Sequence, residues 1–364
     1  MKPNLQEYDV NESTGTYELP CSTTKVCPVN VIVPAYNEAD CITDTVNSLL
    51  MQSLAPQEII VVDDGSTDAT AAICRSLGVK VIAPPENTGS KAGAQNFALK
   101  QVKTKYTLAI DADTTLKDDA IEKLFSAMAD PEVVAACGFV IPRHVNTVWE
   151  RGRYVEYLMA FTFYKEIQEY YDKPLISSGC FSMYRTDYLQ QVGGWSLRTM
   201  AEDMDLTWTA YQLGHKVRFI ADAVCYPIEP HDFHFMRKQL KRWAHGFIQN
   251  VRLHWKGILH VPFLRSIVTV MSWDATVASI VYLMVLPILA VIISPLFLLG
   301  YVIDLPIVLV PTLTKAYARG ETWHALTSIP AFFVLRFVNS AIFLEALFKE
   351  VVLRQPLEVY EKGH

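Results

Sequence analysis

The sequence lacks the features that define several common classes of protein. Its cysteines number seven, and no two of them form a CxxC pair, so neither a zinc-binding spacing nor a disulfide framework is predicted. Residues 1–27 contain no long apolar run, which predicts neither a signal peptide nor an amino-terminal membrane anchor. The net charge of −6 argues against nucleic acid as a partner, because nucleic-acid-binding proteins usually carry excess positive charge.

Charge is also scarce in one part of the chain. Charged side chains are frequent up to about Arg265 and then sparse until Lys349. Three apolar stretches fall in this part, and each is about long enough to cross a hydrocarbon core. They are residues 272–293, 295–313 and 329–348. The middle stretch contains Asp304, Pro306 and Pro311, so the sequence leaves two or three membrane spans open.

Strand and helix patterns alternate in the first third of the chain. Short β-branched runs predict strands at residues 29–33, 58–62, 80–83 and 106–110. Helical patterns lie between them, over residues 42–54 and 67–77, and residues 89–100 predict a loop that enters a helix. Apolar strands separated by helices predict an α/β fold with a mostly parallel sheet that is covered on both faces. The region that follows is less regular, with an aromatic-rich helix predicted over residues 149–171 and a strand over residues 216–220.

Acidic side chains follow three of the predicted strands. Glu38, Asp63 and the pair Asp111 and Asp113 lie at or just beyond the carboxyl ends of these strands, where open α/β sheets bind ligands. Two carboxylates at positions i and i+2 can share a hard divalent cation and leave places for phosphate oxygens and water. An isolated Asp-X-Asp is more often a simple turn, so the motif needs support from the rest of the chain.

That support comes from the order of several short motifs. In chain order they are PAYNE at 34–38, DDGSTD at 63–68, NTGSKA at 87–92, DAD at 111–113, ED at 202–203 and QLKRW at 239–243. This series resembles the family-2 glycosyltransferases with the GT-A, Rossmann-like fold, over roughly residues 28–255. The last motif is similar to the Gln-X-X-Arg-Trp of the processive branch, which includes the cellulose, chitin, hyaluronan and poly-N-acetylglucosamine synthases.

The resemblance implies a role for each candidate site residue. It assigns Asp113, with Asp111, to a Mg²⁺ or Mn²⁺ ion, Asp203 to the general base, and Glu202 to the same catalytic pair. The implied ligands of the donor and its nucleotide are Ala35, Tyr36, Glu38, Asp63, Lys91, Asp111 and Arg242. The implied acceptor residues are Gly179, Gln239 and Trp243.

A basic and aromatic segment links the two halves of the chain. Residues 237–265 contain seven Lys or Arg side chains, no acidic residue, and interleaved Trp and Phe, a composition that suits an anionic bilayer surface. The predicted organisation is a disordered tail over 1–27, a glycosyltransferase domain over 28–235, an amphipathic interface segment over 236–265, two to three transmembrane helices over 266–350, and a tail over 351–364.

The expected function is therefore inverting transfer of a hexose or N-acetylhexosamine from a UDP-sugar to a growing β-linked saccharide. The enzyme is expected to be a multi-pass membrane protein with a cytoplasmic catalytic domain and lipid contacts, and a homo-oligomer is left open. Ala201 stands where many relatives have Thr, and the amino-terminal membrane helices of many synthases are missing. A single-addition glycolipid glycosyltransferase, with a ceramide or diacylglycerol acceptor, is the alternative, and an inactive membrane adaptor is a second one.

Overall fold

The computed structural model describes residues 25–160, 173–303 and 305–357. The predicted disordered tail lies outside these residues except for residues 25–27, which already belong to the first strand. The predicted helix over residues 149–171 is described only in its first half, as Val148–Met159. The end of the predicted carboxyl-terminal tail also lies outside the described residues.

Eight strands form a single sheet in the order β3-β2-β1-β4-β7-β6-β8-β5. The strands are β1 (Lys25–Ala35), β2 (Leu54–Asp63), β3 (Lys80–Ile82), β4 (Tyr106–Ile110), β5 (Thr114–Leu116), β6 (Val133–Val140), β7 (Phe181–Arg185) and β8 (Lys216–Pro227). Strands β1 to β4 pair in parallel, as the alternating pattern predicts. The other half is mixed, because β7 runs antiparallel to both β4 and β6, and β5 runs antiparallel to β8.

The antiparallel strand β7 is the main departure from the predicted mostly parallel sheet. After β6 the chain makes a long excursion and returns at the end of β4, so Phe181 pairs with Ile110 and Arg185 pairs with Tyr106. The residues that precede β7 therefore lie beside the residues that follow β4. This pairing sets Gly179 next to Asp111, a contact that the sequence pattern does not predict.

Helices cover the sheet and extend into the apolar part of the chain. They are α1 (Ile42–Leu50), α2 (Thr70–Ser76), α3 (Lys91–Leu99), α4 (Ala120–Ala127), α5 (Val148–Met159), α6 (Thr186–Val192), α7 (Glu202–Gln212), α8 (Phe233–Leu253), α9 (Trp255–His260), α10 (Pro262–Trp273), α11 (Leu286–Ile292), α12 (Leu305–Ala318) and α13 (Thr322–Leu347). Short π-helical turns join α10 to α11 and extend α13 to Leu353, and a 3₁₀ segment covers Pro295–Val302.

The apolar core lies on both faces of the sheet. Ile42, Val46 and Leu49 recur at helical spacing on one face of α1 and are fully buried against the β-branched residues of β1. On the other face, Trp208 of α7 is fully buried. It belongs to an apolar cluster that also contains Leu264 and Val268 of α10. Helix α7 and the first apolar helix, α10, thus share one core.

Three helical segments are long and apolar enough to cross a membrane. They are Pro262–Ile292, Pro295–Ala318 and Thr322–Leu353. Large apolar side chains are mostly exposed on the first two, with Val291 at 88% and Ile303 at 80%. Exposed apolar surface of this extent is suited to a lipid environment rather than to water.

Helix α13 differs from the other two because side chains at its start and just beyond its end contact α5 and α8. Near its start, the Tyr154 hydroxyl of α5 donates to Glu321 at 2.6 Å. Just beyond its end, Nδ1 of His245 on α8 lies 2.8 Å from Oε1 of Glu350. At 1.5 Å per residue, the 26 residues of α13 span about 39 Å. The helix therefore lies along α5 and α8 instead of pointing away from them.

Candidate active site

The site is built where β4 ends and β7 begins. The backbone N–H of Asp111 donates to the carbonyl of Cys180 at 3.2 Å, which fixes the acidic loop against the segment before β7. On the other side of the loop, the hydroxyl of Thr45 on α1 donates to the carbonyl of Ala112 at 2.7 Å. Both hydrogen bonds hold the backbone and leave the carboxylates of Asp111 and Asp113 for a ligand.

Lys91 connects the predicted donor and acceptor residues. It is the first residue of α3, whose amino-terminal end is capped by the Ser90 side chain. Its ammonium forms a close ion pair with the Asp111 carboxylate, donates to the carbonyl of Gly179 at 2.9 Å, and lies 3.9 Å from a carboxylate oxygen of Glu202. The Lys91 side chain is only 12% exposed, so water screens these charges weakly.

The Glu-Asp pair opens α7 and faces the same segment. Oδ2 of Asp203 accepts a hydrogen bond from the Gly179 N–H at 2.9 Å, and Oδ1 accepts one from the Met204 N–H at 2.8 Å. Glu202 is buried. Burial is the main cause that raises the pKa of Glu202, with a contribution from Asp203, while Lys91 and Arg242 oppose the shift.

Gly179 has no room for a side chain. A Cβ at this position would lie 3.1 Å from the Asp203 carboxylate oxygen and 3.3 Å from the Lys91 ammonium. The glycine lets its own N–H and C=O bond to these two side chains at once. The predicted acceptor residue therefore also serves to join the base candidate to Lys91.

The acidic residues of the site fit a divalent cation that is shared with a ligand. Burial, followed by the charges of Asp111 and Glu38, raises the pKa of Asp113 to about 7. Such mutual repulsion is relieved when a cation is shared between the carboxylates. Among the residues that the structure describes, no group of three or more His, Cys, Asp or Glu side chains forms a closed metal site. Two carboxylates plus phosphate oxygens and water are a donor set that Mg²⁺ accepts in nucleotide enzymes.

The predicted nucleoside residues lie at the ends of β1 and β2. Ala35 ends β1, and its carbonyl accepts the Asp64 N–H at 2.9 Å, which joins the two strand ends. Asp63 accepts the Ser66 N–H at 3.0 Å within its own turn. Tyr36 is half-buried beside Glu38, which is buried. These residues border the carboxyl-terminal edge of the sheet next to Asp111 and Asp113, as the sequence predicts.

Helix α8 carries the Gln-X-X-Arg-Trp residues to the site. The helix is anchored on the residues just before the Glu-Asp pair, because Asn250 donates to the carbonyl of Ala201 at 3.1 Å. Arg242 is close enough for its charge to act on Glu202. Oε1 of Gln239 is buried and has no hydrogen-bond partner among the described residues.

Trp243 of α8 is 36% exposed, and its ring stacks on a buried arginine of α5. The Cζ atom of Arg153 lies 4.4 Å from the centroid of the Trp243 ring. The contact leaves only part of the indole open to a ligand. The sequence motif contains no information on this arginine, which stands 90 positions earlier in the chain.

Sequence reasoning also missed residues that hold the site in shape. Arg143 donates to the carbonyl of Asp113 at 2.9 Å, and Asp64 accepts both the N–H and the hydroxyl of Thr88 at 2.8 Å each. Asn96 of α3 bonds to both backbone groups of Trp195. Each contact joins residues more than 20 positions apart, so no local pattern marks it. The sequence gives one hint for Asp64 and Asn96: Asp64 lies within the DDGSTD motif, and Asn96 follows shortly after the NTGSKA motif.

Part of the chain matches a known protein family. Residues 30–193 match the model of glycosyl transferase family 2. Poly-beta-1,6-N-acetyl-D-glucosamine synthases of Staphylococcus epidermidis and Staphylococcus aureus are 27% identical to the chain over 223 residues, which are 60% of this chain and 54% of each synthase. The match thus spans about half the length of these curated relatives.

A solved structure with the same fold covers most of the chain. It is the mannosyltransferase PcManGT from Pyrobaculum calidifontis, in complex with GDP-Man and Mn²⁺. The TM-score is 0.58 at 19% sequence identity, over 89% of this chain and 87% of that one. At this identity the likeness establishes the fold, and the predicted GT-A architecture is confirmed.

Proposed function

Residues 30–193 form a family 2 glycosyltransferase domain, and from this premise we propose that the protein adds N-acetylhexosamine or hexose units from a UDP-sugar to a growing β-linked saccharide. The observation that carries the proposal is the ion pair between Lys91 and Asp111, because Lys91 also bonds to Gly179. It brings the donor side and the acceptor side of the site within reach of one side chain. The names of the matched synthases favour N-acetylglucosamine as the sugar.

On the donor side, Asp111 and Asp113 would hold a Mn²⁺ or Mg²⁺ ion. When bound, the ion neutralises the charge that develops on the leaving nucleotide diphosphate. Ala35, Tyr36, Glu38 and Asp63 bind the nucleoside.

Lys91 binds the diphosphate as well. Its side chain is held by the Gly179 carbonyl and lies near Glu202. When the donor binds, Lys91 can keep these two partners and exchange its ion pair with Asp111 for one with the diphosphate.

On the acceptor side, Asp203 is the general base. Its carboxylate is held by two backbone N–H groups, which orient it and leave lone pairs that can take the proton of an acceptor hydroxyl. That hydroxyl then attacks the anomeric carbon opposite the leaving group, so an α-linked donor gives a β-linked product. The buried Glu202 lies between Lys91 and Arg242 and holds both cations in place.

Helix α8 completes the site with Arg242, Gln239 and Trp243. Arg242 supplies a second cation for the diphosphate. Trp243 and the unpaired Oε1 of Gln239 contact the acceptor sugar, through the apolar face of its ring and through a hydroxyl.

The protein works at the cytoplasmic membrane surface. Residues 262–292 and 295–318 cross the bilayer, and α13 lies on the catalytic side. The support for this arrangement is the pair of contacts from Glu321 to Tyr154 and from Glu350 to His245, since a crossing helix would have its ends on opposite sides. Two crossings also keep Lys349 on the cytoplasmic side, in accord with the positive-inside rule.

The test is transfer by the detergent-purified full chain with Mn²⁺ and a panel of UDP-sugars, followed by sizing of the products. We expect a ladder of N-acetylhexosamine or hexose oligomers from one donor, and none from the Asp203→Asn variant. A single sugar added to a co-purified lipid would favour a glycolipid glycosyltransferase. Absence of transfer from every donor would refute the proposed activity.

A further inference from the structure

The Arg153 side chain is enclosed by two aromatic rings and three polar groups. Its Cζ atom lies 4.4 Å from the ring centroid of Tyr157 and 4.4 Å from that of Trp243. Each guanidinium nitrogen also donates a hydrogen bond: Nε to Glu229 at 3.2 Å, Nη1 to Glu156 at 2.5 Å, and Nη2 to the Tyr157 hydroxyl at 2.6 Å. The guanidinium is therefore held by ring contacts and by a hydrogen bond at every nitrogen.

The charge of Arg153 is maintained in this buried position. The residue is 1% exposed, and Glu229 is 3% exposed. Burial alone would lower the pKa of Arg153, but Tyr157, Glu156 and Glu229 outweigh it and raise that pKa. The Tyr157 hydroxyl also donates to Glu229 at 2.7 Å, which closes the network. A buried charge with this many partners is costly to rotate or displace.

Trp243 is the member of this group that belongs to the Gln-X-X-Arg-Trp motif. It follows Arg242, whose charge acts on the buried Glu202. About a third of its side chain is exposed, and the stacked guanidinium restricts the rotation of the indole on the surface of α8. Without the stack, a tryptophan that is this exposed could occupy other staggered rotamers.

We propose that Arg153 is a positioning residue that fixes the plane of the Trp243 ring and thereby sets the orientation of the acceptor sugar. This inference rests on the proposed function, in which the open part of the indole contacts the acceptor. Orientation matters because the attacking hydroxyl has to lie about 3 Å from the anomeric carbon with its orbitals aligned. Arginine suits this role better than lysine, because its planar group stacks on rings and keeps its edges free for carboxylates.

The proposal separates binding of the acceptor from binding of the donor. Arg153 contacts none of the predicted donor residues in the described hydrogen bonds, ion pairs and ring contacts. A change at Arg153 that acts through Trp243 therefore affects the acceptor KM and leaves the donor KM unchanged. A general loss of packing would affect both constants and the melting temperature.

The experiment is a double-mutant cycle on the full chain, with Arg153→Lys and Trp243→Ala separately and together. Rates are measured against a β-1,6-linked N-acetylglucosamine oligosaccharide at saturating UDP-N-acetylglucosamine, and then against the donor at saturating acceptor. We expect Arg153→Lys to raise the acceptor KM about tenfold and to change the donor KM less than twofold. In the Trp243→Ala background, Arg153→Lys should change the acceptor KM less than twofold.

The matched control is Arg336→Lys. The Cζ atom of Arg336 lies 4.4 Å from the Tyr282 ring centroid, the same stacking distance, among the apolar helices and away from the site. It should leave both KM values within twofold of the wild type. The positioning role would be overturned if the effects of Arg153→Lys and Trp243→Ala on the acceptor KM multiplied in the double variant. It would also be overturned if Arg153→Lys raised the acceptor KM and the donor KM equally. A wild type that transfers no sugar would overturn the proposed function, whereas an active wild type with an unaffected Arg153→Lys variant overturns only this inference.

Discussion

Ala201 and Gly246 are in direct contact between α7 and α8. A Cβ at position 246 would lie 2.7 Å from the Cβ of Ala201 and 2.9 Å from its backbone nitrogen. The two small residues let α8 pack against the residue that precedes the Glu-Asp pair. This close packing explains why alanine is suitable at position 201, where many related enzymes have threonine.

Enlarging either residue should move α8 and impair transfer. We expect Gly246→Ala to lower kcat/KM for the acceptor about tenfold, because the added methyl pushes α8, and with it Arg242, away from Glu202. The measurement is steady-state transfer with the melting temperature recorded in parallel. Asn47→Ala, on the exposed side of α1, is the control and should keep full activity. An unchanged kcat/KM in Gly246→Ala would show that the position of α8 is unimportant.

Removing the charge of Asp113 should raise the stability of the protein and abolish its activity. Asp113→Asn relieves the repulsion among Asp113, Asp111 and Glu38, so we expect the metal-free variant to melt a few degrees higher than the wild type, as about 1 kcal/mol gives in a domain of this size. Transfer should be abolished. Mn²⁺ should raise the melting temperature of the wild type in the presence of UDP and have little effect on the variant. Full wild-type activity in EDTA would contradict the metal role of these residues.

Replacing the base candidate should affect turnover and spare donor binding. We expect Asp203→Asn to lower kcat at least about 100-fold, the low end of the contribution of a positioned base. The amide keeps an oxygen that can still accept the Gly179 N–H, so the fold should be retained. UDP affinity, measured by calorimetry, should stay within twofold of wild type. A parallel loss of UDP affinity would instead assign Asp203 to donor binding.

Stability should depend on pH through Asp205, which is buried two residues after the base candidate. Burial alone would raise the pKa of Asp205, but hydrogen bonds from His254 and from Arg198 outweigh it and hold that pKa well below its usual range. Because the unfolded-state pKa is about 3.9, the stabilisation is complete above about pH 4 and is lost as the pH falls from there through the lower folded-state pKa.

The measurement is chemical unfolding of the wild type and Asp205→Asn between pH 7 and pH 3. We expect the variant to be about 2 kcal/mol less stable at pH 7, as for a hydrogen bond to a charged group, and the difference to shrink below pH 4. Asp187→Asn, at an exposed carboxylate of α6, serves as the control with little effect at any pH. A difference that persists unchanged at pH 3 would exclude the carboxylate charge as its cause.

The proposed two-crossing arrangement predicts which residues are accessible from each side. Trp323→Cys, at the start of α13, and Gln355→Cys, just beyond its π-helical extension, should react with a membrane-impermeant maleimide in inverted vesicles and not in intact cells. Ser294→Cys, between the two crossing segments, should show the opposite pattern. The labelling of the wild type, which has seven cysteines of its own, is subtracted from that of each variant. Reaction of positions 323 and 355 from opposite sides would establish a third crossing.

The first half of the fold could be predicted well because its strands and helices are specified by patterns of neighbouring residues. Apolar strands and amphipathic helices alternate there, and the positions of Glu38, Asp63 and Asp111 follow from the rule that parallel strands end at one edge. The antiparallel β7 could not be predicted, because a strand of five residues carries no signal for its direction. The juxtaposition of Gly179 and Asp111 depends on that direction.

Other parts of the site depend on packing between distant segments. The ED and QLKRW motifs identify Asp203 and Trp243, but nothing in either motif points to Arg153 or to the contact of Gly246 with Ala201. Likewise, the apolar composition of α13 suggests a membrane span, whereas its contacts with Tyr154 and His245 depend on three-dimensional structure. The composition of α13 indicates that the helix is compatible with lipid. Whether it crosses the bilayer depends on the residues that it contacts.

The core that Trp208 shares with Leu264 and Val268 has a consequence for how the protein unfolds. Since α7, which begins with the Glu-Asp pair, packs through Trp208 against α10, the first helix of the proposed membrane segment, displacement of α10 should remove support from Glu202 and Asp203. Melting should therefore be a single cooperative event across both regions, and harsh detergents should inactivate the enzyme at the same concentration at which they unfold its apolar helices.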